Sequence, residues 1–279
     1  MSWLVEPFEP EFMQRALVAG LLVVVLCSVV GTWVVLRGLT FIGDALAHGV
    51  LPGIAVAFVA GFSVTLGAAM GAAVIVAGVS VVGKRTDLRE DAGVGLLFVG
   101  MLALGVIIVS REGSFATEIT AFLFGDVLGV DDAQLRLLAV SALVALLAVA
   151  ALHRPLLALA FDERKAATLG MRPALTRTLL LILVALVVVA SFQAVGTLLV
   201  FGLLVAPPAT GTLVARRVPM VMVASVVFGS VAVVAGLLAS WHFDVAAGAS
   251  MSATAVLIFF VVLGARDTRR WWTRRALKI

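Results

Sequence analysis

Asp44 and His48 are the two residues of this chain whose types and spacing most clearly indicate chemistry. They lie in the stretch GDALAHGVLPG (43–53), whose other side chains are small or apolar. Four residues make about one helical turn, so the carboxylate and the imidazole would share a helix face. Oxygen and nitrogen donors on one face suit a divalent transition metal or a proton, and ionisable groups at membrane depth usually serve a function. We predict that the pair lines a transport pathway; the alternative is that Asp44 caps a helix start and His48 bonds a backbone carbonyl.

The elements that must position this pair are membrane-spanning helices. Of the 279 residues, 63% are hydrophobic and 13% are charged, against about 25% charged in soluble domains. Cys27 is the only cysteine, which excludes an internal disulfide and a multi-cysteine metal site. A span needs about 20 apolar residues. Nine segments qualify, or eight if one is re-entrant: 13–36, 42–60, 62–83, 92–110, 134–152, 175–192, 194–214, 218–240 and 250–264.

Two of the predicted spans contain helix-breaking residues. Segment 42–60 contains Pro52-Gly53 and segment 194–214 contains Pro207-Pro208. Proline has no amide, so it frees a carbonyl one turn earlier, which can line a pathway or let the helix bend. We predict hinges at Pro52, Pro207 and Pro208; a structural kink without function is the alternative.

The positions of Lys and Arg indicate the orientation of the chain. If the N-terminus is outside and the spans alternate, 17 of the 20 basic residues fall on the inner side, and only Arg15, Arg111 and Arg136 fall outside. Basic residues are enriched on the cytoplasmic side of membrane proteins. We therefore predict an outer N-terminus, a cytoplasmic C-terminus with a basic tail at 265–279, and no nucleic-acid partner.

Two predicted outer regions carry further candidates. His242 and Asp244 follow span 218–240 and could contact a metal, or could be solvated or contact a partner. The region 111–132 contains five carboxylates, which would attract cations; a plain solvated connection is the alternative. Within it, residues 121–125 are apolar enough to dip into the membrane.

Segment 159–173, LAFDERKAATLGMRP, lies on the predicted inner side. Asp162 can cap a short helix there and Gly170 can end it. Such a helix would present Phe161, Ala166 and Leu169 beside basic residues and could dock a soluble partner; an ordinary surface helix is the alternative.

The run 78–85 matches GxxxxGK of a phosphate-binding loop but ends in Arg instead of Ser or Thr. The hydroxyl that would hold magnesium is missing, and the run closes a membrane span instead of joining a strand to a helix. We therefore expect no ATP binding at this run, and a nucleotide-binding domain, if one is needed, would belong to another polypeptide.

Three motifs in order, GDALAHGVLPG, FDERKAATLGM and VGTLLVFGLLVAPPATGTLVA, resemble the permease subunit of bacterial zinc, manganese or iron ABC importers, the ABC-3 family. The resemblance implies that 1–279 is a single permease domain. It also implies an all-α integral membrane protein of the type II importer fold, with eight or nine transmembrane helices, broken helices and a cytoplasmic coupling helix at 159–173. The residues it assigns to ATPase coupling are Asp162, Glu163, Arg164, Lys165, Leu169 and Gly170.

The resemblance also implies partners and a mechanism. Two permease copies would form a homodimer in the bacterial plasma membrane, with cytosolic ATPase subunits beneath and an extracytoplasmic metal-binding protein above. Asp44 and His48 would be transient ligands of the transported ion, which we expect to be Zn²⁺, or alternatively Mn²⁺ or Fe²⁺, with no bound cofactor. The rival classes are a proton-coupled secondary carrier that uses the pair as a proton relay and a non-transporting scaffold or sensor.

Overall fold

The computed structural model describes residues 5–85, 90–110 and 125–276, and every regular element in these ranges is helical. Single-turn 3₁₀ helices, Glu6–Phe8 and Val127–Gly129, precede the first and sixth α-helices. The predicted all-α fold is confirmed. The α-helices of the described ranges are α1 (Glu11–Leu36), α2 (Thr40–Gly49), α3 (Leu51–Ala60), α4 (Val64–Arg85), α5 (Glu90–Val109), α6 (Asp132–Phe161), α7 (Glu163–Thr168), α8 (Pro173–Val214), α9 (Val218–Phe243) and α10 (Ala247–Ala276).

The membrane spans follow the hydropathy of the sequence. Eight segments of the described ranges are long and apolar enough to cross a membrane, and a shorter apolar helix, Ala92–Ile108, coincides with predicted span 92–110. Helix α6 extends beyond its predicted span, which ends at residue 152, and continues to Phe161. His153 and Arg154 end the apolar run, but the following leucines and alanines have high helix propensity and sustain the helix.

Helix α1 forms the centre of the bundle. Of its most apolar 18-residue window 72% is buried inside the protein, against 28% for the windows of α6 and α10. It packs against α6, α8 and α9. A helix that is apolar all round lies either inside a bundle or in lipid. Helix α1 therefore lies inside the bundle, whereas α6 and α10 expose apolar side chains as lipid-facing helices do.

Helices α3 and α4 form a tightly packed hairpin. They are joined at Gly61, which has φ +72°. A Cβ atom placed on Gly53 would lie 3.0 Å from the carbonyl carbon of Gly67 and 2.9 Å from the amide nitrogen of Gly71. Glycine at these positions therefore allows the two helix backbones to touch, as small residues do between membrane helices.

Helix α8 is 42 residues long, about twice the length that a bilayer requires, and it is broken at Gly196 (φ 74°, ψ 160°). The predicted break at Pro207-Pro208 is wrong, because both prolines lie inside the helix. Proline removes amides but keeps a helical φ near −65°, whereas only glycine readily adopts a positive φ. The helix contains two spans, which we call α8a (Pro173–Phe192) and α8b (Ala194–Val214), and the break at Gly196 lies near the start of α8b.

The two halves of α8 run in opposite directions. Thr178 of α8a lies 3.5 Å from Ser80, near the end of α4. Leu204 of α8b lies beside Gly43, near the start of α2. Because α4 runs antiparallel to the α2–α3 segment, these two points are at the same end of the bundle, and the chain doubles back near Gly196.

Candidate functional site

The predicted pair lies on α2, a short helix bounded by two interruptions. It begins at Thr40, after a turn in which Gly38 has φ +70°. It ends at Gly49, and Val50 separates it from α3. Pro52 has no amide to bond the carbonyl of His48, so the helix is interrupted at this point. The interruption predicted from Pro52-Gly53 is therefore present.

One face of α2 is accessible and carries both functional side chains. Nε2 of His48 lies 3.4 Å from Oδ1 of Asp44, and the two side chains are 27% and 28% exposed. Phe41 is exposed on the same face. The ring of Phe98, from α5, meets Phe41 and His48 edge-on, at centroid distances of 5.6 Å and 6.1 Å. The opposite face is buried and consists of Ile42, Gly43, Ala45, Leu46 and Ala47.

Asp44 does not cap the start of α2. The N-cap position belongs to Leu39, and no acidic residue lies in the first turn. Asp44 lies one turn further along, where its carboxylate faces the imidazole of His48. The capping alternative is therefore wrong, while the transport role of the pair stays a prediction that these distances permit.

This chain brings two metal-ligand side chains together and leaves the ligand set incomplete. Within residues 5–85, 90–110 and 125–276, no group of three or more His, Cys, Asp or Glu side chains could hold a metal. Metal sites usually have four to six ligands, so water or another subunit would have to supply the rest. A partly protein-bound ion is also easier to release, which suits a pathway better than a storage site.

Helix α8b supports α2 from behind through Leu204. A Cβ atom on Gly43 would lie 2.5 Å from Cδ2 of Leu204. On the other side, Gly31 of α1 faces the carbonyl group of Leu204 and the ring of Pro208. Pro208 has no amide to bond this carbonyl, and the absence of a side chain at Gly31 leaves room for it. Pro207 and Pro208 therefore lie behind the pair, and their hinge role stays a prediction.

The predicted outer contacts occupy the end of α9. Asp244 is exposed and ends the helix in the left-handed conformation (φ 51°, ψ 40°), and His242 is partly exposed. Ser240 donates a hydrogen bond to the carbonyl of Val245, at 2.7 Å. These contacts give the segment a role in helix termination; metal contact at His242 and Asp244 remains untested.

The acidic region 111–132 is described only from residue 125. Asp126 accepts a hydrogen bond from the amide of Gly129, and Asp131 forms a capping box with Gln134. Asp132 lies 3.5 Å from Arg15. The three described carboxylates therefore take part in local structure, while Glu112, Glu118 and the apolar segment before Gly125 lie outside the described residues.

The predicted coupling segment forms a short helix at the end of α6. Asp162 is the C-cap of α6 and lies directly before α7. Gly170 has φ +72°, and the amide of Met171 bonds the carbonyl of Ala166, as at glycine-terminated helices.

The apolar surface of this segment differs in part from the prediction. Phe161 and Leu169 are 82% and 69% exposed, whereas Ala166 is buried and not presented. Ala166 lies on the inner face of α7, where its small side chain allows close packing. Glu163 begins α7 and is exposed; Arg164 and Lys165 lie within α7, and only their backbone is described.

Two structural residues were not predicted from the sequence. Arg37, which the sequence indicates only as an inner-side charge, donates a hydrogen bond to the carbonyl of Leu159 at 3.0 Å. Gly196 breaks α8 and faces Gly125, which also has a positive φ. Arg37 had no sequence signal for its partner 122 residues away, whereas Gly196 could have been noticed as a glycine at the join of two predicted spans.

The sequence is similar to known membrane transport proteins along nearly its whole length. The family model described as ABC 3 transport family matches residues 9–266. The manganese transport system membrane protein MntC of Halalkalibacterium halodurans is 33% identical over 271 residues, covering 95% of this chain and 93% of that protein. The probable iron transport system membrane protein of Haemophilus influenzae is 32% identical, covering 94% of this chain and 96% of the relative.

A solved structure has the same fold. The structure of PsaBC from Streptococcus pneumoniae in complex with Fab matches with a TM-score of 0.81 and 31% identity, covering 94% of each chain.

Proposed function

Because the chain belongs to the ABC 3 transport family, we propose that it conducts Mn²⁺ across the membrane in an ATP-driven importer, with Fe²⁺ as the second candidate cargo. The chain is the multi-pass permease subunit of a metal ABC importer, and the ATPase of such a transporter is a separate subunit. Our first expectation, zinc, gains no support from the relatives cited above, whose names specify manganese or iron.

The observation that carries the proposal is the accessible Asp44–His48 pair, with its 3.4 Å separation, on a helix of a membrane protein. An imidazole nitrogen with a carboxylate oxygen suits Mn²⁺ and Fe²⁺. Such groups are costly within a bilayer, and they are retained where ions or protons pass. Manganese accepts oxygen ligands and water in a six-coordinate shell, so two protein donors per chain leave room for an ion that must also depart.

We propose that a second permease copy completes the pathway. Two copies that face each other through the exposed side of α2 would contribute four donors. The cytosolic ATPase would contact the α7 segment, where Phe161 and Leu169 are exposed. A metal-binding protein would deliver the ion on the outer side. The excess of Lys and Arg on the inner side supports an outer N-terminus and a cytoplasmic C-terminus in the bacterial plasma membrane.

The test is uptake of radioactive Mn²⁺ into liposomes that contain the permease, its ATPase and its binding protein, with ATP or ADP on the ATPase side. We expect ATP-dependent uptake, competed by Fe²⁺ more than by Zn²⁺. The variants Asp44→Asn and His48→Gln keep side-chain size and remove a metal ligand, so uptake should fall at least about tenfold, the lower end of the loss seen when only a supporting group around a metal is removed.

Matched controls separate ligand loss from general damage. Asp132→Asn removes an exposed carboxylate beside Arg15, and His153→Gln removes an imidazole that packs edge-on against Trp33. Both should keep uptake within about threefold of the wild type, less than the tenfold step that corresponds to roughly 1.4 kcal/mol. Wild-type uptake by Asp44→Asn and His48→Gln would refute the ligand role. Uptake driven by a proton gradient without ATP would support the secondary carrier.

A further inference from the structure

Arg37 joins the segment proposed to contact the ATPase to the helix that carries Asp44 and His48. It is the C-cap of α1, and only two residues separate it from Thr40, where α2 begins. Asp44 follows one turn later. Any displacement of Arg37 therefore acts on α2 through a very short connection, at the start of the helix.

Arg37 also contacts the end of α6. Its Nη1 donates to the carbonyl oxygen of Leu159 at 3.0 Å. In a continuing helix this carbonyl would bond the amide of Glu163, but the backbone turns extended at Asp162 (φ −161°, ψ 109°). The last carbonyls of a helix lack partners within it, and cationic side chains commonly bind them. Arg37 thus replaces the missing amide.

Helix α7 follows this junction directly. Only Asp162 separates the end of α6 at Phe161 from the start of α7 at Glu163, and the carbonyl of Asp162 accepts a hydrogen bond from the amide of Ala166. Leu36, Arg37 and residues 159–163 line one cleft between the α1–α2 turn and the α6–α7 junction. Movement of α7 at this junction would therefore reach Arg37 through its hydrogen bond to the carbonyl of Leu159.

The α1–α2 turn can respond to such movement. Gly38 adopts φ +70°, and a Cβ atom placed there would contact nothing within 4 Å. α2 packs mainly against α5 and α8 and makes few contacts with α1. The turn is therefore open on the Cβ side of Gly38 and is held on either side by Arg37, which bonds the carbonyl of Leu159, and by Leu39, which is buried in the core.

We propose that Arg37 is the positioning residue that couples movement of α7 to the position of α2, and so sets access to the Asp44–His48 pair. The inference rests on the proposed function. It assigns a role to a residue that touches neither the ion nor ATP. A guanidinium presents several donors in a fixed plane, so it can hold a carbonyl through a movement that a shorter or neutral side chain would not follow.

The experiment measures Mn²⁺ uptake and ATP hydrolysis in the same liposomes, with the full complex of permease, ATPase and binding protein. Arg37→Gln should keep ATP hydrolysis within about twofold and the ATPase bound at the wild-type ratio, because Phe161 and Leu169 are unchanged. The number of ions imported per ATP should fall about tenfold. Arg37→Lys retains a cationic donor and should give an intermediate ratio.

Arg136→Gln is the matched control. Arg136 also donates from its guanidinium to a backbone carbonyl of α6, that of Asp132 at 3.1 Å, but at the opposite end of the helix. Its ion-to-ATP ratio should equal that of the wild type. An unchanged ratio in Arg37→Gln, or a parallel loss of uptake and ATP hydrolysis, would overturn the coupling role. If Arg37→Gln does not assemble, Arg37→Lys is judged by the same criteria.

A labelling measurement distinguishes coupling from a purely structural role. Cys27 is buried, so a cysteine introduced by Phe41→Cys would be the reactive one. Its labelling rate by a maleimide should change when ATP is added to the wild-type background and stay constant in Arg37→Gln. An equal response in both backgrounds would refute the inference. Absence of ATP-dependent Mn²⁺ uptake by the wild type would instead refute the proposed function.

Discussion

Replacing Gly31 by alanine should destabilise the protein, although alanine favours helices. Alanine gains about 1 kcal/mol over glycine within a helix. At Gly31, however, the new Cβ atom would lie 3.0 Å from the carbonyl carbon of Leu204 and 3.1 Å from Cγ of Pro208, and closer still to the carbonyl oxygen. Overpacking costs about 1–3 kcal/mol, and both neighbours are stiff, so we take the upper end and expect a net loss of about 2 kcal/mol.

The assay is thermal unfolding in detergent, followed by the fraction that remains monodisperse. A loss of about 2 kcal/mol corresponds to a Tm roughly 4–8 °C lower, at about 2–4 °C per kcal/mol for a protein of this size. Gly100→Ala is the matched control, because it also lies within a helix and a Cβ atom there meets nothing within 4 Å. Its Tm should be unchanged or higher. Equal Tm values for Gly31→Ala and Gly100→Ala would refute the reasoning.

A double-mutant cycle with Leu204→Ala identifies the atoms responsible. At Gly43 the obstacle is Cδ2 of Leu204, which the truncation removes, whereas at Gly31 the obstacle is backbone and remains. Leu204→Ala alone should cost about 2–5 kcal/mol, as for other buried leucines. Gly43→Ala should therefore cost less in the Leu204→Ala background than in the wild type, and Gly31→Ala should cost the same in both, within about 0.5 kcal/mol. Equal relief at both positions would contradict the assignment.

Three further perturbations test other parts of the structure. Gly196→Ala forces a side chain into φ +74°, at a cost of about 1–2 kcal/mol, so Tm should fall by roughly 2–8 °C; an unchanged Tm would show that the break does not need glycine. Pro52→Ala restores an amide that can bond the carbonyl of His48 and so join α2 to α3 as one continuous helix. Mn²⁺ uptake should then fall severalfold without a decrease in Tm, and unchanged uptake would exclude a role for the interruption. Phe161→Ser and Leu169→Ser remove the exposed apolar surface of the α7 segment, so less ATPase should co-purify, and full retention would place the docking surface elsewhere.

Hydropathy predicts most of the fold, because each membrane span is determined by the length of a continuous apolar segment. The spans at α1, α4 and α9 could be located to within a few residues on this basis. The error at Pro207-Pro208 has a physical cause. Two amides lost inside a bundle can be tolerated when the dihedral angles stay helical, and neighbouring helices fill the space. Gly196 breaks the helix through a positive φ, and it lies against Gly125, 71 residues away in the chain.

The sequence predicts that the two site residues lie together, but it does not predict the contacts that surround them. The four-residue spacing of Asp44 and His48 determines that they share a face, and the structure agrees. The direction in which this face of α2 points is determined by two tertiary contacts: Leu204 packs against Gly43, and the ring of Phe98 packs edge-on against His48. These contacts join positions 50 or more residues apart, so no local pattern contains them. The same holds for Arg37 and the carbonyl of Leu159.

The close contact between α3 and α4 has a consequence for how the protein enters the membrane during synthesis. The span Thr40–Ala60 has a mean hydropathy of 1.6, the lowest of the eight, because it carries Asp44 and His48, while the following span has 2.1. Ionisable side chains within a span raise the free-energy cost of insertion. The glycine contacts at Gly53 and Gly67 allow the two spans to insert as one helical hairpin, in which the more apolar partner offsets the cost of the pair. Substitutions that separate this hairpin would therefore reduce the amount of protein in the membrane before they affect transport.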